Sequence, residues 1–371
     1  MHSLFMDITQ DKDLRQIALK VLDNKRILES EALFLFEKAP LGLLGFLAEN
    51  RKNFHSGKYV FFNRNFHLEP SNICVNHCRF CSYRRNEGEP GCWDESVEAL
   101  VEKARQFKGK DVSEVHIVGA VHPHKNFQYY LDIVSEIKKI LPGIAIKAYS
   151  AVELAAMFDK EGISDELGLK MLKDAGLQTI PGGGAEIFDP EIRKRICPEK
   201  ADANRWLKIH QAAHFAGIST NATMLYGHLE NYAHRVNHLN RLRELQDKTG
   251  GFNCFIPLKF RNQHNELSGI NECSLTEDLK NYAISRIFLD NFKHVKAYWP
   301  AMGLQSAALS LAFGVDDLDG TIDDTTKIYS MAGAEDQNPS VSSENLVQVI
   351  KKEGKIAVER DSFYHALHIF E

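Results

Sequence analysis

The chain has no apolar run long enough to cross a bilayer. Its longest stretches, such as Leu41 to Ala48, fall far short of the ~20 residues that a spanning helix needs. It has no long basic run either, and with a formal net charge of −5 and a pI near 6.4 a nucleic acid is not an expected partner. The start, Met1-His-Ser-Leu-Phe-Met-Asp-Ile8, lacks the basic stretch and apolar core of an export signal. Cysteine is sparse and scattered, seven in 371 residues, which argues against a disulfide framework and for a reducing cytoplasm. No internal repeat and no long linker stand out. Apolar residues at 44% suit a globular protein with a sizeable core, and the length suits one large barrel or two ordinary domains.

Three of the seven cysteines stand together. Cys74, Cys78 and Cys81 lie in Cys74-Val-Asn-His-Cys-Arg-Phe-Cys81, a CxxxCxxC loop with an aromatic just before the third cysteine. A structural zinc site wants four ligands, usually two close pairs, and no second pair follows. A ferredoxin-type electron carrier closes its cluster with four cysteines. Three thiolates can instead hold three irons of a [4Fe-4S] cluster and leave the fourth iron open to a reacting molecule. Cys92 is near enough in sequence to be a fourth ligand, but it lies beyond Pro90-Gly91, outside the compact loop. Cys254, in the apolar run Phe252 to Pro257, reads as a small core residue. The loop resembles the signature of radical S-adenosylmethionine (SAM) enzymes. The resemblance implies that the SAM amino and carboxylate groups chelate the open iron, and that one electron cleaves the sulfonium to a 5′-deoxyadenosyl radical. It also implies an electron donor such as flavodoxin or ferredoxin.

Residues from about 8 to 50 carry helical periodicity, with Leu14, Ile17, Ala18, Val21 and Leu22 on one face. They read as an N-terminal helical cap, 1–55, before a main body spanning 56–371. Within that body, apolar runs alternate with amphipathic helices. The expected strands are Tyr59 to Leu68, Glu114 to Gly119, Ile144 to Ser150, Thr179 to Pro181, Thr220 to Tyr226, Phe252 to Pro257 and Val295 to Trp299, with a possible eighth at Asp317 to Thr321. Such alternation argues for a parallel sheet, here an α/β fold of the (β/α)8 TIM-barrel type with a C-terminal helical extension. Gly143, Gly176 and Gly217 mark helix ends where a left-handed cap is common. In such barrels the working residues follow the strands, at their C-terminal ends.

The cluster loop follows the first strand, and Phe80 and Tyr83 flank its last cysteine, where they can shield a cluster, touch an adenine or simply pack. The second strand ends at Gly119, with only one of the glycines usual in radical SAM enzymes and no acidic residue. The resemblance puts the SAM amino group against this turn. His122, three residues on, is either structural or at the barrel mouth facing substrate. Ser150 ends the third strand and either bonds SAM or caps the next helix, with Glu153 completing a capping box. Ile180-Pro-Gly-Gly-Gly-Ala-Glu186-Ile-Phe188 lets backbone approach a ligand and offers the Glu186 carboxylate to ribose hydroxyls. It lacks the lysine and Ser/Thr of a phosphate loop. One of Arg193, Arg195 and Lys200 is expected to neutralise the SAM carboxylate, with Arg193 the candidate. The run Asn221-Ala-Thr-Met-Leu225-Tyr226-Gly-His228 can lay Leu225 and Tyr226 against adenine. Lys259 and Arg261 stand after the sixth strand, and Arg can grip a carboxylate bidentately.

Several of these runs resemble radical SAM enzymes of menaquinone biosynthesis by the futalosine pathway. They are Ile180 to Phe188, Asn221 to His228, Val295-Lys-Ala-Tyr-Trp299, Phe313-Gly-Val-Asp-Asp-Leu-Asp-Gly-Thr321 and Ala332-Gly-Ala334. The resemblance covers about residues 30 to 370. It implies that SAM is a co-substrate whose adenosyl radical adds to the enol ether of 3-[(1-carboxyvinyl)oxy]benzoate. A sibling enzyme of the same pathway, which abstracts hydrogen and cyclises a nucleoside, is the alternative. An iron-sulfur carrier is the alternative from another class. Two substrate carboxylates then make His122, His228 and Arg261 the expected substrate residues.

Overall fold

The computed structural model describes residues 11–319, 326–334 and 339–371. Three helices lead, α1 (Lys12–Leu22), α2 (Glu29–Lys38) and α3 (Leu41–Ser56). They are followed by β1 (Tyr59–Phe62), β2 (Asn65–Leu68), α4 (Val97–Arg105), β3 (Glu114–Ile117), α5 (Phe127–Ile140), β4 (Ala145–Ala148), α6 (Ala151–Glu161), α7 (Asp165–Ala175), β5 (Leu177–Ile180), α8 (Pro190–Ile196) and α9 (Ala203–Phe215). Then come β6 (Ser219–Tyr226), α10 (Tyr232–Thr249), β7 (Phe252–Lys259), α11 (Leu275–Phe288), β8 (His294–Tyr298), α12 (Trp299–Met302), α13 (Leu304–Ser310), β9 (Asp317–Asp319), α14 (Lys327–Ser330), α15 (Ser343–Lys352), β10 (Ile356–Arg360) and β11 (Ala366–Phe370).

Side-chain caps start many of these helices. Ser96, Asn126, Ser150, Ser164, Asp202 and Ser274 each accept a backbone N–H three residues on, which satisfies a donor the helix leaves open. Strands β4 and β6 are buried almost end to end, as parallel strands covered on both faces must be. Gly176 and Gly217 take positive φ at their helix ends as expected, but Gly143 does not.

The sheet runs β11-β10-β1-β9-β8-β7-β6-β5-β4-β3-β2, parallel throughout except for the β10–β11 pair. Its body is the expected set of eight consecutive parallel strands, β2 to β9, with helices returning the chain. Contacts across the interior show the curl. Ser362, in the β10–β11 turn, donates to Glu114 on β3 at 2.5 Å, and Asn253 of β7 donates to the Ser362 carbonyl at 3.5 Å. Arg360 bonds Asp317 of β9 at 2.7 Å, and Tyr364 stacks on His294 of β8 at 3.8 Å between centroids. All four partners stand at the first or second residue of their strands. The turn therefore fills the N-terminal end of the curled sheet and leaves the other end for chemistry.

Two expectations need correction. Tyr59 to Leu68 is two strands, not one. At Asn63-Arg64 the chain steps aside: the Arg64 carbonyl accepts from Ser113 and Glu114, and its side chain bonds Asp111 at 3.0 Å. As a result β1 pairs with β9 and β10, whereas β2 pairs with β3. The C-terminal strands β10 and β11 stand where only a helical extension was expected. The leading helices pack outside the barrel: Phe36 stacks on Tyr232 of α10 at 4.6 Å, and Arg243 donates to the Ile27 carbonyl at 3.0 Å. Among the described residues no helix is long and apolar enough to cross a membrane.

Candidate active site

The cluster loop leaves β2 and is pinned on three sides. Val75 N donates to Val121 past β3 at 3.0 Å, Cys74 N donates to Arg85 on the returning chain at 3.2 Å, and Arg79 N donates to Ile196 at the end of α8 at 2.8 Å. The Cys81 N–H closes a turn on the Cys78 carbonyl at 3.0 Å. So held, all three thiols line one cavity of about 210 Å³. Its other walls are Phe80, Tyr83 and the Val118–Val121 turn, Ser150, Val152 and Glu153, Gly183 and Gly184, Lys200, and Ile328 overhead.

The three glycines after β5 serve different ends. A Cβ on Gly182 would stand 2.8 Å from the Asn221 carbonyl oxygen, so only glycine lets β5 approach β6. Gly184 has φ +87°, and a Cβ there would meet Val152 at 2.5 Å. Gly183 lines the cavity, and a Cβ there would touch Ser150 at an ordinary 3.7 Å.

Glu153 ties the strand ends together. Its carboxylate accepts from Gly119 N at 3.1 Å, Ser150 N at 2.8 Å and the Ser150 hydroxyl at 2.7 Å. Burial makes this carboxyl a weaker acid, pushing its pKa up, and the Ser150 and Gly119 bonds oppose it. Ser150 is thus a working helix cap, as its capping-box spacing predicted, and the Gly119 N–H is already taken. Glu153→Ala would strand the buried Ser150 N–H and the half-buried Gly119 N–H, the first worth about 1–3 kcal/mol. The expected result is a lower denaturant midpoint for unfolding, with Glu153→Gln intermediate. An unchanged midpoint in Glu153→Ala would show that these bonds do not hold the strand ends.

Alongside Arg84, the cavity has a second cation in Lys200. Its ammonium bonds Glu186 at 2.6 Å and stands 5.4 Å over the Phe80 ring. Burial alone would lower its proton affinity, but Glu186 and the Cys78 and Cys197 sulfurs outweigh this and keep it protonated. In turn burial pushes the Cys78 thiol up to about 12, with Lys200 pulling the other way. Burial raises Cys74 similarly.

Among the described residues no three His, Cys, Asp or Glu side chains converge on a single metal ion. Zinc bound by thiolates at about 2.3 Å would need the sulfurs nearly touching. Free thiols that line one cavity without converging on a single ion suit a multi-iron cluster. The Tyr83 hydroxyl is buried on that wall with no hydrogen-bond partner, which leaves a polar atom for a ligand. The residues therefore fit a [4Fe-4S] cluster held by Cys74, Cys78 and Cys81 with SAM beside it.

Other expected residues lie elsewhere. Arg193 does not reach the cavity; its guanidinium is spent on the Ala185, Ile187 and Ala201 carbonyls, and it buttresses the glycine turn instead. Arg195 is exposed. Leu225 N bonds the Glu186 carbonyl at 2.9 Å, and Tyr226 donates to Asp278 at 2.9 Å; neither lines the cavity. The three substrate candidates occupy separate places. His122 accepts from His124 N and Lys125 N through Nδ1 and faces a neighbouring recess of about 150 Å³. His228 donates through Nε2 to the Leu225 carbonyl at 3.1 Å and accepts Leu229 N at 2.7 Å, so both nitrogens are occupied. Arg261 bonds Glu272 at 3.2 Å and Gly333 at 2.9 Å beside a third recess. The sequence reading missed the roof. Ile328 comes from the short α14, which is anchored where Thr326 and Lys327 bond Glu69 just after β2 at 2.6 and 3.0 Å. A four-residue helix has no periodicity by which to find it.

Comparison with known proteins agrees with this geometry. Residues 68–242 match the Radical SAM superfamily, and residues 249–371 match the CofH/MqnC C-terminal region. Aminodeoxyfutalosine synthase of Thermus thermophilus is 38% identical over 98% of both chains. A 5-amino-6-(D-ribitylamino)uracil–L-tyrosine 4-hydroxyphenyl transferase of Methanoculleus marisnigri is 35% identical over 95% of this chain and 98% of its own. Cyclic dehypoxanthine futalosine synthase of Streptomyces coelicolor is 32% identical over 98% of this chain and 91% of its own. The crystal structure of methylornithine synthase (PylB) shares the fold, with a TM-score of 0.74 at 16% identity over 91% of this chain and 96% of that one. With three thiols on one wall and relatives matched along its whole length, the chain belongs to the Radical SAM superfamily, in the branch with a CofH/MqnC C-terminal region.

Proposed function

We propose that this enzyme is an aminodeoxyfutalosine synthase, which adds the 5′-deoxyadenosyl group of SAM to the enol-ether double bond of 3-[(1-carboxyvinyl)oxy]benzoate, releases methionine, and after rearrangement through the arene loses the acrylate carboxylate as carbon dioxide to yield 6-amino-6-deoxyfutalosine. The observation that carries the reading is the 38% identity to a synthase over 98% of both chains. The identity is lower, 32%, to the cyclising relative of the same pathway.

The cluster, when bound, supplies the electron that opens the SAM sulfonium. The chain's own residues do the rest. Cys74, Cys78 and Cys81 fix the position of that event on one wall. Lys200, a cation facing the cavity, takes the SAM carboxylate. The Glu153 anchor keeps the ends of β3 and β4 at a fixed spacing, which sets the reacting carbons at attack distance. Phe80, Val118, Val121, Val152 and Ile328 make the wall apolar and keep water and stray hydrogen donors from a radical.

The test is anaerobic. The cluster-loaded protein receives dithionite, SAM and the enol ether, and the products go to mass spectrometry. The expected result is an adenosyl-substrate adduct with one methionine released per adduct. Free 5′-deoxyadenosine with no adduct would overturn the synthase and leave the cyclase or the tyrosine-dependent transferase to be assayed next.

A further inference from the structure

Strands β2, β3 and β4 carry a row of basic side chains. The register sets His67 beside His116 and His116 beside Lys147. Which way they face follows from their neighbours. Phe66 and Leu68 belong to the apolar core under the helices, as do Val115, Ile117, Ile146 and Ala148. Phe66 stacks on Phe107, just past α4, at 3.9 Å. Side chains alternate along a strand, so His67, His116 and Lys147 point the other way, into the curl of the sheet. Lys147 agrees with this. It pairs at 2.6 Å with Glu114, which also meets Ser362 of the interior turn. Burial along the row is uneven: Lys147 is 3% exposed, whereas both histidines are only half-buried. His116, with a strand on each flank and helices behind, can meet solvent only from a hollow in front. That hollow lies between the β10–β11 turn and the cavity, because Val118, two residues beyond His116, already lines the cavity.

We propose that His67 and His116 form a subsite in the interior that holds the ring carboxylate of the benzoate substrate, an inference that rests on the reaction proposed above. The enol ether must stand beside the cavity, where the adenosyl group is released. The far end of the molecule, its ring carboxylate, then reaches down the hollow. His116 lies three residues before Gly119, about 10 Å along the strand. The two imidazoles are 5.2 Å apart between centroids and tilted by 50°. An imidazole has two ring nitrogens, so one can be held by the protein while the other meets a ligand. At this spacing each ring can donate to one oxygen of a single carboxylate, and a carboxylate taken out of water needs such donors. The strand-end residues leave this role open. His122 and Arg261 border other recesses, and both nitrogens of His228 are bonded to its own turn.

Binding is read by calorimetry on the cluster-loaded enzyme with SAM and no reductant, so nothing turns over. The probes are 3-[(1-carboxyvinyl)oxy]benzoate and the analogue whose ring carboxylate is a carboxamide. The wild type should bind the acid about ten- to a hundredfold more tightly, the range of one hydrogen bond to a charged group. His67→Phe and His116→Phe keep a ring and remove its N–H. Each should weaken the acid by that factor and bind acid and amide nearly alike. His67→Gln, which keeps a donor, should recover part of the preference. Under dithionite, KM for the acid should rise in the Phe variants far more than kcat falls, with iron content and SAM affinity as in the wild type. Should a Phe variant fold poorly, His67→Asn, polar but too short to reach, carries the same test. An acid preference that persists in the variants would overturn the subsite, and so would a wild type that binds both probes equally. Benzoate against benzamide separates this result from the reaction itself. If the wild type makes no adduct and binds neither enol ether, the proposed reaction fails. A preference for benzoate that the variants lose would then still uphold the row as a carboxylate site, and its absence or persistence would overturn it.

Discussion

Replacing any one of Cys74, Cys78 and Cys81 with serine is expected to abolish methionine release and product formation together. On the proposed ligand set each thiol would hold one iron, and the loop carrying them is tied by its backbone to Val121 past β3, to Ile196 of α8 and to Arg85 on its own return. Loss of a residue one shell out from a metal typically lowers affinity or activity by about 10–100-fold, and loss of a ligand must exceed that. Iron content and the charge-transfer absorbance of the reconstituted protein should fall in step with activity. Cys92→Ser should do none of this. Cys92 sits in the turn after Glu89, whose carbonyl its N–H bonds at 3.0 Å, and it does not line the cavity. Were Cys92→Ser to lose the cluster while Cys81→Ser kept it, the ligand set argued above would be wrong.

How far the amino-acid sequence carries depends on whether a residue's role is local. The strand-helix alternation is local periodicity, and it placed β3 to β8 within a few residues. The CxxxCxxC spacing is local too, and the thiols it joins face one cavity. The split of Tyr59 to Leu68 is not local. Nothing in those ten residues announces that one half pairs with the start of β3 at Glu114 and the other with β9 and β10 at Asp317 and Ile356, because the step at Asn63-Arg64 is held by Ser113 and Glu114. The strand-end polar residues show the same limit. His122 and His228 stand after strands, where substrate residues belong, yet both nitrogens of His228 and the Nδ1 of His122 are taken by backbone of their own turns, and only the buried Nε2 of His122 has no hydrogen-bond partner. Arg193, Arg195 and Lys200 are equivalent by composition. Only the fold shows that the first buttresses a turn, the second faces solvent and the third enters the cavity. Glu153 was legible as a cap, but its bond to Gly119, 34 positions away in the chain, is what makes it an organiser of the site.

Lys200 offers the second large effect. Its ammonium and Glu186 are both mostly buried, at 14% and 9% side-chain exposure, and 2.6 Å apart. Removing one partner of a buried pair leaves an uncompensated charge, at about 3–5 kcal/mol, whereas replacing both by apolar or neutral groups of similar size is often nearly neutral. Lys200→Met is therefore expected to lower unfolding stability of the cluster-free protein by that amount. Glu186→Gln should do likewise, and the double variant should recover most of the loss. The double-mutant cycle in denaturant measures this coupling directly. A second readout separates structure from chemistry. Cluster assembly needs thiolates, and Lys200 is the first group opposing the burial that pushes Cys78 up. Without it the Cys78 thiol gives up its proton only at higher pH, so the pH at which iron-sulfur reconstitution is half complete should move upward in Lys200→Met. Because Glu186 itself pushes that thiol up, the double variant should move back only in part, while regaining most of its stability. A Lys200→Met protein that unfolds at the wild-type denaturant concentration and assembles its cluster at the wild-type pH would show that the ammonium neither stabilises the glycine turn nor tunes the thiol beside it.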